Sequence, residues 1–476
     1  LAANAAEYYV SPSGSDTNPG TLIAPWRTIE KARDAIRTLD LPDGDVTVWI
    51  RGGMYFIEET IVFDERDSGT AGKPTAYKAY PDEDPVFCGG REITGWTQDS
   101  GNIHRATVDV DNWRFDQLFE NGVRQTKARF PNTGYLRTGA PTGSPKLQIR
   151  FKQGDLPTWN NHEGAQLSIW NYANWFQNVL PVSSINFNTR VVNLSNEAAQ
   201  KNVEGDRYFI QGVKAELDAP GEFHLNESNG KLYYWPVTLP IEEQSIVAPV
   251  VTNVFLFKGS SPDKPVKHVS LEGLTIRVSR FTPVFRCGGY SSKGPEYSSN
   301  RPGEENRQGL VQLENASRIT IRNCRLYNAG YCGVNLGYYA SHNTVYGNEI
   351  RDCGWHGVLM VGKDNGVGVV DDPSEQIYDN KFNSISNNHI HRCGQIIGDA
   401  AGVYLYQSGD NVIEHNLIHR MPRYGICMKG HGGLYGKYTK FGNVTITDDN
   451  YWDFYTGNKN TIRYNHVYDL LNDSYD

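Results

Sequence analysis

No stretch of this chain approaches the ~18 consecutive apolar residues of a membrane-spanning helix, so no membrane span is expected. An excess of one charge sign is also missing: 46 Lys and Arg face 54 Asp and Glu, a formal net charge of −8. Both signs are spread along the chain, which argues against nucleic acid or an anionic membrane as partner. The seven cysteines include no CxxC pair, so a thiolate zinc site is not expected, and neither a metal nor a cofactor is predicted. Met is scarce at 4, whereas Gly reaches 48 and aromatics 12%. Many turns and many rings suit a turn-rich β protein, with or without a sugar-binding role. The first residues, Leu1-Ala2-Ala3-Asn4-Ala5-Ala6, lack an initiator Met and resemble the end left by small-residue cleavage, so a secreted or periplasmic location is expected.

What the last third does contain is a repeat. Asn followed within one or two residues by an aliphatic occurs at Asn323-Cys324-Arg325-Leu326, Asn348-Glu349-Ile350, Asn388-His389-Ile390, Asn416-Leu417-Ile418 and Asn465-His466-Val467. The first four copies run on to Gly333-Val334, Gly357-Val358, Gly402-Val403 and Gly425-Ile426. A period of some 25 to 28 residues is one coil of a parallel β-solenoid. In such a coil Val334, Val358, Val403 and Ile426 stack inward, as do Leu336, Met360, Leu405 and Met428. Alternation then turns Asn335, Leu359, Tyr404 and Cys427 outward, with Gly337, Val361, Tyr406 and Lys429 beside them. That outward face is the expected floor of a binding groove. Cys353 and Cys393, each five residues after a ladder Asn, are expected to be stacked core residues rather than a disulfide.

Before the repeat, Ile29, Ala32, Ala35, Ile36 and Leu39 fall on one face at helical spacing, predicting a helix over 26–39 that caps the first coil. The expected organisation is residues 1–95 as cap and first coils, 96–245 as an inserted antiparallel β-sandwich, and 246–476 as the main β-helix. Within 96–245 the repeat gives way to alternating runs such as Ala165-Gln166-Leu167-Ser168-Ile169-Trp170. Insertions at 281–309 and 430–460 break the later coils, and insertions in a solenoid gather on one face.

Candidate chemistry centres on carboxylates at coil corners, since sugar hydrolysis commonly uses a pair of them. Asp399, in Gly398-Asp399-Ala400-Ala401-Gly402-Val403-Tyr404, sits among small residues that leave room for a ligand; a turn-capping role is its alternative. His356 stands at the corner matching Ala401 and Tyr424, either hydrogen-bonded or in contact with substrate. Arg423 either meets substrate or holds a neighbouring carboxylate, and Lys429 with a nearby Tyr could move a proton. Glu414 and the loop acids Asp448, Asp449 and Asp453 are weaker candidates.

Several stretches carry a resemblance. Tyr8-Tyr9-Val10-Ser11-Pro12-Ser13-Gly14-Ser15-Asp16 with Pro25-Trp26-Arg27-Thr28-Ile29 resembles the start of many secreted β-helix carbohydrate enzymes. Gln117-Leu118-Phe119-Glu120-Asn121-Gly122-Val123-Arg124-Gln125, Ala128-Arg129-Phe130-Pro131-Asn132, Gly230-Lys231-Leu232-Tyr233-Tyr234-Trp235-Pro236 and Leu271-Glu272-Gly273-Leu274-Thr275-Ile276 are similar to glycoside hydrolase families 141 and 120. The resemblance implies an all-β, right-handed parallel β-helix interrupted by a β-sandwich, with acidic catalytic residues on the helix. It implies a catalytic Asp at Asp399, in the spacing to Tyr404, and a second copy of that stretch beginning at Asp476, and the expected site takes these two as the catalytic pair, with His356, Tyr404, Tyr406, Arg423, Tyr424, Lys429 and Trp452 lining the groove. By coil count Asp476 stands two coils beyond Asp399, roughly 9.6 Å at ~4.8 Å per coil, near the upper end of the inverting range. The expected activity is hydrolysis of a polysaccharide or its oligosaccharides. The alternatives are a polysaccharide lyase using Lys429 or a Tyr, and a non-catalytic glycan binder.

Overall fold

The computed structural model describes residues 6–38, 45–171, 176–282, 284–286, 308–362, 380–406, 408–429, 440–441, 444–445, 447 and 457–471. The predicted Asp476 and Trp452, and most of the 281–309 and 430–460 insertions, lie outside them.

Three long parallel sheets, with a short fourth of three strands from Val266–Lys267 to Ala340–Ser341, wind into a right-handed β-helix. One runs over nine strands from Ala6–Val10 to Thr461–Arg463, one over eight from Gly53–Phe56 to His466–Tyr468, and one over seven from Ile61–Phe63 to Tyr424–Lys429. Every pairing within them is parallel and in register, so each coil sets the height of the next. Inward aliphatics from all three sheets form one continuous core that includes Val334, Val358, Val403, Leu336, Met360 and Leu405. The predicted inward columns hold through Val334, Val358 and Val403 and through Leu336, Met360 and Leu405, but in the last strand of this sheet Ile426 is only partly buried and Met428, predicted inward, is 52% exposed, because no further strand of the sheet follows among the described residues.

The glycine of the repeat has a steric cause. A Cβ on Gly333, Gly357, Gly402 or Gly425 would collide with Ile350, Ile390, Ile418 or Val467 respectively, in each instance the motif aliphatic of the following coil. The two halves of the repeat thus fit one into the other across coils. Corner asparagines supply the polar counterpart: Asn348 Nδ2 donates to Asn388 Oδ1 at 2.9 Å, Asn388 to Asn416 at 3.0 Å and Asn416 to Asn465 at 2.9 Å. Each Oδ1 also accepts a backbone N–H from the coil before it, so these buried amides are satisfied in full. In the earliest copy it is Cys324, not Asn323, that occupies the ladder position, its N–H donating to Asn348 Oδ1. Asn323 takes the preceding left-handed turn position, with φ 53°, which Asn tolerates better than most residues. A second ladder, Asn343–Asn383–Asn411–Asn460, runs parallel to the first.

The cap helix spans Ile29–Arg37, shorter at both ends than predicted, because Thr28 caps it by accepting the Lys31 N–H. Ile29, Ala32 and Ile36 are buried against the first coil. Cys353 and Cys393 are buried free thiols.

Between Gly90–Glu92 and Ile246–Pro249, which pair antiparallel, the chain leaves the β-helix. The coils close over this departure: Thr75 pairs with Val269, and Val86 with Thr275, as if nothing lay between. The intervening strands are nearly all antiparallel, with Gln166–Asn171 flanked by Phe176–Asn186 and Arg207–Gln211, and they enclose apolar cores of their own. This is where the inserted sandwich was expected.

Candidate active site

Strands Ala401–Tyr406 and Tyr424–Lys429 pair in register, with Ala401 opposite Tyr424, Tyr404 opposite Cys427 and Tyr406 opposite Lys429. Val403 and Leu405 point into the core and fix the strand's rotation, so Tyr404 and Tyr406 face outward. Asp399 precedes this strand by two residues and is held from three directions. From the coil before, the Trp355 indole donates to the Asp399 carbonyl at 2.8 Å. From the coil after, the Arg423 guanidinium donates directly to Asp399 Oδ1, and both side chains are only 11% exposed. From the inserted region, Gln177 accepts the Gly398 N–H at 2.8 Å and donates to the Ile396 carbonyl at 2.8 Å.

The Asp399 carboxyl is pulled in two directions. Burial raises its pKa, Arg423 and the more distant Lys429 lower it, and burial prevails. Such a group keeps a proton more readily than an exposed aspartate, as a general acid requires. Cys427 feels the same three charges, and burial pushes its thiol up to about 11, so it is not a thiolate nucleophile. Arg423 also lies over the Tyr424 ring at 4.6 Å. The structure thus joins Asp399, Arg423 and Tyr424 at one corner, with Lys429 at the far end of the strand that begins at Tyr424, and Arg423 takes the carboxylate-holding role.

His356 and Tyr406, predicted to line an open groove, lie beneath the surface. His356 is 0% exposed, packed between the Trp355 ring at 4.1 Å and the Tyr404 ring at 4.6 Å. Its Nδ1 accepts the Ala401 N–H at 2.9 Å, and burial drives its pKa down to about 3, so the ring is neutral with its proton on Nε2. That Nε2 has no hydrogen-bond partner among the described residues. Tyr406, 2% exposed, joins an apolar cluster on the outward face with Leu359, Val361, Ile397 and Val179 of the inserted region. The physical reason is the same for both: the inserted layer and the 396–400 turn cover this part of the face. Tyr404 remains partly exposed. Glu414 stands on the nine-strand sheet, away from this corner, accepting from Arg463 at 2.7 Å.

Sequence reading missed Trp355, Gln177 and Trp170. Trp170 lies beside Gly398 under the stacked guanidinium of buried Arg207, and its indole N–H has no partner among the described residues. Nothing in the alternating pattern around Trp170 and Gln177 marks a residue that meets position 398.

Comparisons with known proteins agree with the architecture. Residues 288–468 match the family described as "Periplasmic copper-binding protein (NosD)". The chain is 34% identical over 121 residues to pectate lyase PEL9 of Emericella nidulans, covering 24% of this chain and 27% of that protein. It is 41% identical over 81 residues to the uncharacterized protein YwoF of Bacillus subtilis, covering 17% and 15%. The chain therefore spans well under a third of the length of either relative. A solved structure titled "Glycoside hydrolase" superposes with TM-score 0.77 over 97% of this chain and 96% of that one, at 20% identity. At that identity the likeness concerns the fold.

Proposed function

We propose that this chain is a glycoside hydrolase acting on a polysaccharide or its oligosaccharides, in a periplasmic or extracellular setting. The observation that carries the reading is Asp399: a nearly buried carboxyl, raised in pKa and braced by Trp355, Arg423 and Gln177 at the edge of the outward face. Bracing of this kind is what a positioned proton donor needs. In this role the Asp399 proton passes to the glycosidic oxygen as its bond to the anomeric carbon breaks. A second carboxylate then acts on the opposite side of the sugar, the role proposed for Asp476. Tyr404, Tyr424 and Trp452 offer rings for the sugar faces, and Lys429 and Arg423 position polar groups. The resemblance to families 141 and 120, the "Glycoside hydrolase" superposition and the periplasmic family description support this reading. Residues 96–245 are proposed as a unit that completes the site through Trp170 and Gln177.

A second reading has its own support. Lys429 lies close enough to influence Asp399 and Cys427, Arg423 adds another cation, and one relative is a pectate lyase. Two cations suit a uronate, from which a lysine could abstract the proton next to the carboxylate. The test is to incubate the protein with neutral xylans and fucosides and with polygalacturonate, reading new reducing ends and ultraviolet absorbance together. Hydrolysis yields reducing ends without absorbance and disappears in Asp399→Asn. Absorbance rising in step with cleavage would establish the lyase instead, and binding with no cleavage a glycan-binding protein.

A further inference from the structure

On the eight-strand parallel sheet, and not the seven-strand sheet whose strand Asp399 precedes, three histidines converge. His389 and His391 lie on strand His389–His391, and His419 on strand Leu417–His419 of the next coil, with His391 directly opposite His419. One ring nitrogen from each can be chosen so that all lie within 4.8 Å of one another, the sole such group among the described residues. His389 Nε2 and His419 Nε2 face each other at 2.9 Å.

Ring stacking explains part of this arrangement. His391 lies over His419 at 5.0 Å and 4°, and His419 over Tyr468 at 4.8 Å and 13°, as side chains repeated on a solenoid do. His389 and His419 instead meet edge to edge through an N–H···N hydrogen bond, so their nitrogens already converge. Metal–nitrogen bonds of ~2.0–2.1 Å hold neighbouring ligand nitrogens ~2.9–3.4 Å apart, and that pair already meets this spacing. Glu349 Oε1, 3.2 Å from His391 Nε2, supplies the carboxylate that commonly orients a metal-binding imidazole. Nearby Arg351 and Arg392 both pair with Asp352, at 2.6 and 2.8 Å, so their charge toward an incoming ion is offset.

We propose that His389, His391 and His419 bind one divalent late first-row transition-metal ion, bridging two coils, with Glu349 orienting His391. Imidazole ligands and the general order of divalent affinities favour Cu2+ over the others. The site is independent of the Asp399 chemistry.

The test is titration of the purified chain with Cu2+ in glycine buffer, with calorimetry for stoichiometry and electron paramagnetic resonance to count bound nitrogens. One ion per chain and a spectrum split by at least two imidazole nitrogens are expected. His389→Asn and His419→Asn should each weaken binding at least about a hundredfold, and Glu349→Gln about ten- to a hundredfold, while His466→Asn, on the same sheet but outside the cluster, leaves it unchanged. No stoichiometric binding, a wild-type spectrum with fewer than two nitrogens, or equal loss in His466→Asn would overturn the proposal. The wild-type spectrum decides even if a His variant does not fold.

Discussion

The Asn-ladder corner and the Asp399 corner belong to the same coils, yet they are built on opposite principles. At the ladder each coil repeats the last, and every amide oxygen and nitrogen finds its partner one coil away. At the Asp399 corner the period breaks. Cys332, His356, Ala401 and Tyr424 follow one another in register with no residue type in common. There a neutral buried imidazole and a buried indole keep N–H groups without described partners, and a carboxyl sits where burial opposes its charge. Repetition serves stability, because one solution is reused at each level. Departure from it marks the place where residues answer to something other than the neighbouring coil.

The comparison breaks most sharply at Asn388. Its side chain accepts the Asn348 N–H and Nδ2 and donates to Asn416 and the Val345 carbonyl. Asn388→Ala strands at least two buried groups at ~1–3 kcal/mol each, so a stability loss of about 3 kcal/mol or more is expected in chemical denaturation. A loss below about 1 kcal/mol would mean that the ladder is ornamental. Gly402→Ala comes next: the new methyl meets Ile418 and the Gly425 carbonyl, and overpacking of this kind costs ~1–3 kcal/mol. Unchanged melting would show that the coils can spread at no cost.

On the other side of the comparison, Gln177→Ala strands the buried Gly398 N–H and Ile396 carbonyl, so a stability loss of ~1–3 kcal/mol should accompany a fall in kcat measured well below the melting temperature. It frees the 396–398 turn, and misplacement of a catalytic group by ~1 Å can cost up to about a hundredfold. Equal kcat in variant and wild type would separate the inserted region from the chemistry.

The smallest effect is in pH dependence, where two aspartates should move oppositely. Asp399 has its pKa raised by burial, so its favourable contribution is full in acid and is lost as pH rises through the raised value. Asp352 is lowered despite burial, because Arg392 and Arg351 hold its charge; its contribution is present above the ordinary value and is lost as pH falls. Comparing Asp399→Asn and Asp352→Asn with wild type by denaturation from about pH 2 to 8 should give opposite slopes, that of Asp352 below its ordinary value and that of Asp399 above it. Parallel slopes would show that Arg423 governs Asp399 more than burial does.

How much could be read in advance follows from the same division. The inward columns, the Asn-to-Asn coupling and the cap helix were legible because period and residue type coincide. The second ladder was legible too: each of its asparagines stands five residues before one of the first ladder and is followed by the same x-aliphatic pair. It went unread because no Gly-aliphatic tail follows it directly. Asn323 misled because the earliest coil places Cys324 where later coils place Asn. Asp399 and Arg423 were found as corner residues, but the burial of His356 and Tyr406 was not, since it depends on Val179 and the 396–400 turn. Gln177 and Ile396 meet across more than two hundred residues, a contact set by how the inserted layer packs and not by any local pattern.

The central claim is that Asp399 donates the catalytic proton. Its most direct test is the turnover of Asp399→Asn on a glycan that the wild type cleaves, with melting recorded on the same samples. The account predicts a fall in kcat of at least about a hundredfold, the lower range for losing a general acid, in a protein that melts as a folded chain. Normal turnover by a folded Asp399→Asn variant would contradict it and leave Asp399 as the turn residue that anchors Arg423.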